Sequence, residues 1–173
     1  MKITRLFLFS LVVSLFSCSE KDDPKPAGDG LPGAWSMTGL EYSGTSTATF
    51  DGGGSIAATF TGVAKNIAHT VTFTENPNEV ISEGSYTIVL TTNTEGIVTT
   101  NEVPITEIFM DGTWSRDGDI LTITNGSIIQ EGTILKQTRT ELEVESDLEE
   151  IDDSIEGVTV TKIVHAVYKF KRK

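Results

Sequence analysis

The final segment of the chain constrains the fold most. Val158, Val160, Lys162, Val164, Ala166, Tyr168 and Phe170 fall on one face, six of the seven apolar. Thr159, Thr161, Ile163, His165, Val167, Lys169 and Lys171 fall on the other, with two of seven apolar. A period of two is that of a pleated strand with one side on a core. The same alternation recurs upstream. Tyr86, Ile88 and Leu90 share a face, Val71 and Phe73 alternate with Thr70, Thr72 and Thr74, and Leu142 and Val144 alternate with Glu141, Glu143 and Glu145. Between these runs stand Asp117-Gly118 and Asn125-Gly126, dipeptides whose positive φ preference suits a type I′ hairpin turn. Asp51-Gly52-Gly53-Gly54, Glu75-Asn76-Pro77-Asn78 and Asn93-Thr94-Glu95-Gly96 are further breaks. The 25 Thr, with Val and Ile, favour strands over helices. Ile105–Met110 is the best helical candidate, at one turn. The pattern predicts an all-β chain of eight to ten antiparallel strands. An up-and-down barrel is the first expectation and a β-sandwich the alternative.

The N-terminus reads as a targeting segment. Met1-Lys2-Ile3-Thr4-Arg5 is basic, and Leu6 to Phe16 is almost wholly apolar but too short to span a bilayer. Leu15-Phe16-Ser17-Cys18 follows, a small residue directly before the only Cys with Leu three places upstream. This resembles the lipobox of bacterial lipoproteins. The resemblance implies that residues 1–17 are removed and that Cys18 carries the lipid. Several acyl chains, at about 0.8 kcal/mol per buried CH₂, anchor durably to a membrane. Residues 18–30 then form a lipidated Cys and a flexible tether, because Pro, Gly and charge replace apolar periodicity there. The Ser19-Glu20-Lys21-Asp22-Asp23 run is similar to the acidic export signal of Bacteroidota surface lipoproteins. It implies an outer-membrane protein at the cell surface, the periplasmic face being the alternative.

Charge excludes one partner class. The chain has 13 basic and 25 acidic residues, a net charge of −12 and a pI near 4.5. Loss of Lys2 and Arg5 with the signal leaves 11 basic and 25 acidic residues, or −14. Nucleic-acid binding needs clustered Lys and Arg to neutralise phosphates, so that partner is excluded. A lone Cys makes neither an internal disulfide framework nor a thiolate metal cage.

Residues 31–173 form the folded domain. Gly33-Ala34-Trp35 opens its first strand and Gly112-Thr113-Trp114 a later one. With Leu31-Pro32 before the first, Thr72-Phe73-Thr74-Glu75-Asn76-Pro77, Gly84-Ser85-Tyr86-Thr87 and Gly118-Asp119-Ile120-Leu121-Thr122-Ile123-Thr124, these segments resemble the lipocalin-like domains of Bacteroidota lipoproteins. The resemblance implies a barrel closed at one end by Trp35, with Arg172 or Lys171 as the basic residue to pack over it. It also implies a small apolar or amphipathic ligand. Phe50, Phe60, Phe73, Tyr86, Leu90, Trp114, Leu121 and Tyr168 are expected to point inward, and Trp35, Phe60, Phe73, Tyr86, Trp114 and Tyr168 are the candidate ligand contacts. Aromatic residues serve a solid core equally well. The alternative is therefore a filled barrel acting as a non-enzymatic envelope interaction or structural module.

Signals for chemistry are thin. His165 falls on the polar face of the last strand, and His69 precedes the Val71–Phe73 strand in an expected loop, with no His or Cys at metal-ligand spacing. No Gly-x-Ser-x-Gly elbow occurs. The acidic run from Asp147 to Glu156 offers hard oxygen ligands but lacks EF-hand spacing, so a solvated hairpin loop is expected over a calcium site. Lys169, Lys171, Arg172 and Lys173 solubilise the C-terminus. No catalytic residue, metal site or cofactor is assigned, and the expected function is non-enzymatic.

Overall fold

The alternating runs become nine strands. In the computed structural model, which describes residues 30–173, these are β1 (Gly33–Phe50), β2 (Ser55–Phe73), β3 (Glu79–Thr94), β4 (Ile97–Ile105), β5 (Gly112–Asp117), β6 (Ile120–Asn125), β7 (Ile128–Gln137), β8 (Glu141–Ile155) and β9 (Val158–Arg172). Every pairing is antiparallel, in the order β2-β1-β9-β8-β7-β6-β5-β3-β4, and a further β2–β3 pairing closes the sheet into a ring. The turns fall where Gly allows them. Gly118, Gly126 and Gly157 take φ values of 60°, 61° and 76° in three hairpins, a region that costs residues with a Cβ.

Two sequence expectations change. Ile105–Met110 is not a helical turn: Ile105 ends β4, and 106–111 is an irregular segment. The Asp147–Glu156 run is not a loop either. It continues β8 to Ile155, paired with β9 through a register shift between Asp152 and Ile155, and only Glu156 and Gly157 make the turn. Charge hid the strand, since an acidic strand exposed on both faces lacks an apolar period.

The ring is uneven in height. We call lower the end where β1 begins and β9 ends. Strands β1, β2, β3, β8 and β9 run 15 to 19 residues, whereas β5 and β6 have six each and β7 has ten. Pairing of β3 with β5 covers only Glu79↔Thr113 and Val80↔Gly112, at the lower end. Pairing of β7 with β8 stops at Thr133↔Glu145. The ring therefore closes below. Above, β4 and the part of β8 beyond Glu145 each have a paired neighbour on one side only.

The lower half is filled. Leu31, Trp35, Val71, Phe73, Val80, Leu121, Ile123, Leu142, Val144 and Phe170 are each at most 1–2% exposed. Trp35 seals this end: its Nε1 donates to the Leu31 carbonyl at 2.8 Å, and the Arg172 guanidinium lies 4.2 Å from its ring centroid. Arg172 also donates to the carbonyls of Pro32 at 2.7 Å and Arg139 at 2.8 Å, and to that of Gly30. The guanidinium thus binds the entry of β1, the β7–β8 turn and the end of β9 together. Phe50, expected inside, is 37% exposed, because β1 outruns the core at its upper end.

Trp35→Ala should lower unfolding stability by about 3–5 kcal/mol, the range for deleting a buried large aromatic. Arg172→Ala should cost about 1–3 kcal/mol, from charge-assisted hydrogen bonds and the ring contact. Urea denaturation followed by circular dichroism measures both.

Candidate ligand cavity

Above the filled half the interior opens into a cavity of about 1070 Å³. Its wall is supplied by inward positions of the tall strands: Tyr42 and Ser46 from β1, Ala58 and Phe60 from β2, Leu90 and Thr92 from β3, Ser146, Leu148 and Glu150 from β8, and Lys162, Val164, Ala166 and Tyr168 from β9. Two glycines keep the lumen empty. Tyr42 pairs across the strands with Gly62, and Gly44 with Phe60, so each ring lies over a residue lacking a side chain. The two rings then stack at 5.5 Å and 27°. A Cβ at Gly44 would stand 2.5 Å from the Phe60 ring and 2.1 Å from the Ile163 carbonyl oxygen. Any larger residue there would push Phe60 off the wall.

The floor is the irregular segment after β4. Ile108 and Phe109 are 6% and 2% exposed, and Met110 lines the cavity beside them. Phe109 meets Tyr168 at 5.8 Å, Phe170 at 6.2 Å and Phe73 at 6.5 Å between ring centroids, and so separates the cavity from the core below. Three side chains tie this segment down, the first being Ser82, whose Oγ accepts from Ile108 N–H at 3.5 Å. Gln130 accepts from Met110 N–H at 3.1 Å and donates to the Ile108 carbonyl at 3.3 Å. Asp111 accepts from Ser82 N–H at 2.8 Å.

Polar groups in the interior are few. The hydroxyls of Tyr42, Tyr86 and Tyr168 make no hydrogen bond among the described residues. Desolvation by burial raises all three above the ordinary tyrosine range, Tyr168 to about 12. At neutral pH they are uncharged donors. Glu150 and Lys162 pair at 3.1 Å on the wall. Glu107, Glu131 and Asp147 complete the charged lining.

The aromatic candidates divide between the two halves. Phe60 and Tyr168 line the cavity. Trp35, Phe73, Tyr86 and Trp114 are 0–4% exposed in the core and are not among its lining residues. Trp114 is held by donation to the Thr74 carbonyl at 2.8 Å and an edge contact with Phe73 at 5.9 Å. A period of two assigns a face but not a height along the barrel, so both sets read alike in sequence. The floor residues Ile108, Phe109 and Met110 escaped that reading altogether, because an irregular segment has no period. Cys18 lies outside the described residues.

The histidines differ in setting. His69 is not in a loop: it lies within β2 and is 2% exposed. Its Nε2 is 2.8 Å from Ser82 Oγ, while Nδ1 is buried without a partner, and desolvation lowers its pKa. His165 faces outward, with Nδ1 2.8 Å from Asp147 and Nε2 3.5 Å from Glu145. Its hydrogen bond to Asp147 raises its pKa. Among the described residues no three His, Cys, Asp or Glu side chains stand close enough to hold a metal ion. Comparison with family models, curated proteins and solved structures finds no match.

Gln130→Ala should lower stability by about 1–3 kcal/mol, since the buried backbone groups of the floor lose their partners. Hydrogen exchange should rise selectively at the Ile108 to Met110 amides; unchanged protection there would show that Gln130 does not hold the floor.

Proposed function

We propose that the protein is an envelope lipoprotein, anchored through Cys18, whose lipocalin-like barrel holds a small apolar or amphipathic molecule in the upper cavity. One observation carries the reading. The cavity, at about 1070 Å³, is slightly larger than the roughly 300–1,000 Å³ typical of ligand sites and so has room for a small molecule. Its lining also has the expected character, with aromatic and aliphatic walls and a few polar groups that fix orientation. The Tyr168 hydroxyl is such a group, a donor with its ring packed against Phe109. Anchoring follows from the Leu15-Phe16-Ser17-Cys18 segment, and display at the cell surface, rather than on the periplasmic face, from the acidic run behind it.

A second reading draws on the upper strand edges. Ile97, Val98, Leu148, Ile151 and Ile155 are 56–71% exposed along β4 and upper β8. Unpaired, apolar edges suit strand addition by a protein partner, and such a module needs no cavity occupant.

A neutral apolar fluorophore, N-phenyl-1-naphthylamine, distinguishes the two. The full-length protein in nanodiscs should bind it saturably above the empty-disc background. Ala58→Trp, which fills the lumen from the β2 wall, should weaken that binding at least tenfold while leaving the circular dichroism unchanged. Equal fluorescence from wild type and variant would sink the ligand reading and favour the interaction module. For the anchor, cells fed an alkyne-tagged palmitate should label the wild-type protein and not Cys18→Ala. Equal labelling of the two would show that the lipid, if any, is attached elsewhere.

A further inference from the structure

The uncharged donors of the cavity stand at a definite height. Tyr168 on β9 is in register with Leu40 on β1 and Val144 on β8, both buried in the core. Its ring therefore sits at the level of the floor, against Phe109 at 5.8 Å. Tyr42 stands one inward position higher, opposite Ala166 of β9 and Gly62 of β2. Above them the inward positions of β1, β2 and β9 are Gly44, Phe60 and Val164, an apolar band. Higher still come Ser46, Ala58 and Lys162, with Lys162 held by Glu150 at 3.1 Å. From floor to mouth the wall thus reads phenol, hydrocarbon, ion pair.

Neither phenol is spent on the protein. The hydroxyls of Tyr42 and Tyr168 make no hydrogen bond among the described residues, although both side chains line the cavity. Burial raises the Tyr168 pKa and Tyr42 adds to that rise, so the two groups face a common space. The one cation among the described lining residues, Lys162, is already committed to Glu150. A carboxylate carried to the floor would lose its hydration with no counter-ion to meet it. An alkyl chain laid there would cover two hydroxyls and leave their hydrogen-bonding capacity unmet. An uncharged carbonyl oxygen avoids both penalties, because it accepts from a phenol and brings no charge.

Resting on the ligand-binding reading, we infer that the cavity selects uncharged amphiphiles bearing a ketone or ester carbonyl, and takes them carbonyl-first. The oxygen accepts from Tyr168 beside the Phe109 floor, with Tyr42 as the second donor. The hydrocarbon tail runs up past Phe60 and Val164 toward the open side of the ring.

Displacement of N-phenyl-1-naphthylamine from the full-length protein in zwitterionic nanodiscs tests this with three nine-carbon probes: 2-nonanone, 1-nonene and nonanoate. Empty-disc displacement is subtracted for each. The inhibition constant of 2-nonanone should be about tenfold lower for wild type than for the double variant Tyr42→Phe, Tyr168→Phe, as loss of two neutral hydrogen bonds would produce. That of 1-nonene should be the same for both, and nonanoate should bind wild type more weakly than the ketone. The variant keeps both rings, and its retained fluorophore binding shows that the fold and the lumen survive. Infrared spectra of carbon-13 carbonyl 2-nonanone report the contact directly. In wild type the bound carbonyl band should lie below its position in hexane, and Tyr168→Phe alone should remove most of that shift. A ketone constant equal in wild type and double variant, or a band at the hexane position in wild type, overturns the assignment to the phenols. A shift removed by Tyr42→Phe and not by Tyr168→Phe overturns the placement of the carbonyl at the floor. Tighter binding of nonanoate than of the ketone overturns the uncharged head. Each of these leaves the ligand-binding reading intact. If the fluorophore itself does not bind, the ligand-binding reading fails and this inference fails with it.

Discussion

Everything above the lower end of the barrel depends on the contact of Arg172 with Trp35. The two residues are the last of β9 and nearly the first of β1, and their stacking fixes where those strands start and stop relative to each other. Trp35 is wholly buried, and Arg172 satisfies carbonyls from three separate stretches of chain. A planar, permanently charged group with several donors does this where an ammonium on a flexible stem does not. Because one end is sealed by side chains, whatever space the barrel holds must open at the other.

Unequal strand lengths decide how that space opens. A ring of equal strands would enclose a symmetrical lumen. Here β5 and β6 end after six residues, so the upper wall is incomplete on one side, and the segment from 106 to 111 turns inward beneath the gap. Phe109 does double duty there, as a core residue for Phe73 and Phe170 below and as a floor above. The glycines at 44 and 62 act on the opposite wall. They let Tyr42 and Phe60 lie along the sheet, so large side chains coexist with an empty centre.

Electrostatics reinforce that division. On the outer face of β1, β8 and β9, acid–base pairs such as Glu41 with Lys169 and Glu145 with His165 stand in water and contribute little to stability. Inside, the phenols of Tyr42, Tyr86 and Tyr168 are kept protonated by burial, and the charged pair of Glu150 with Lys162 lies above them on the wall. The carboxylates collect where the wall is low and solvent reaches them. The interior is thus graded from a sealed apolar end, through uncharged phenols, to an acidic border.

Much of this fold was legible residue by residue. Alternation in Val158–Phe170 assigned the inward face of β9 correctly, and Asp117-Gly118 and Asn125-Gly126 marked their hairpins, because a strand's period and a turn's φ requirement are local properties. The acidic half of β8 was not legible, since its strand character comes from pairing with β9 and not from a buried face of its own. The candidate site was half legible. Phe60 and Tyr168 were named with Trp35, Phe73, Tyr86 and Trp114, but which of the six border empty space depends on the height at which each strand places them. That height is set by register shifts, such as those between Ser36 and Glu41 in β1, and by the distant stop of β5 and β6. Sequence by itself determined the strands, the turns and the inward faces, all read over a few neighbouring residues. Only the tertiary structure decided which inward residues pack together and which surround a cavity, because that follows from how strands of unequal length align across the whole ring.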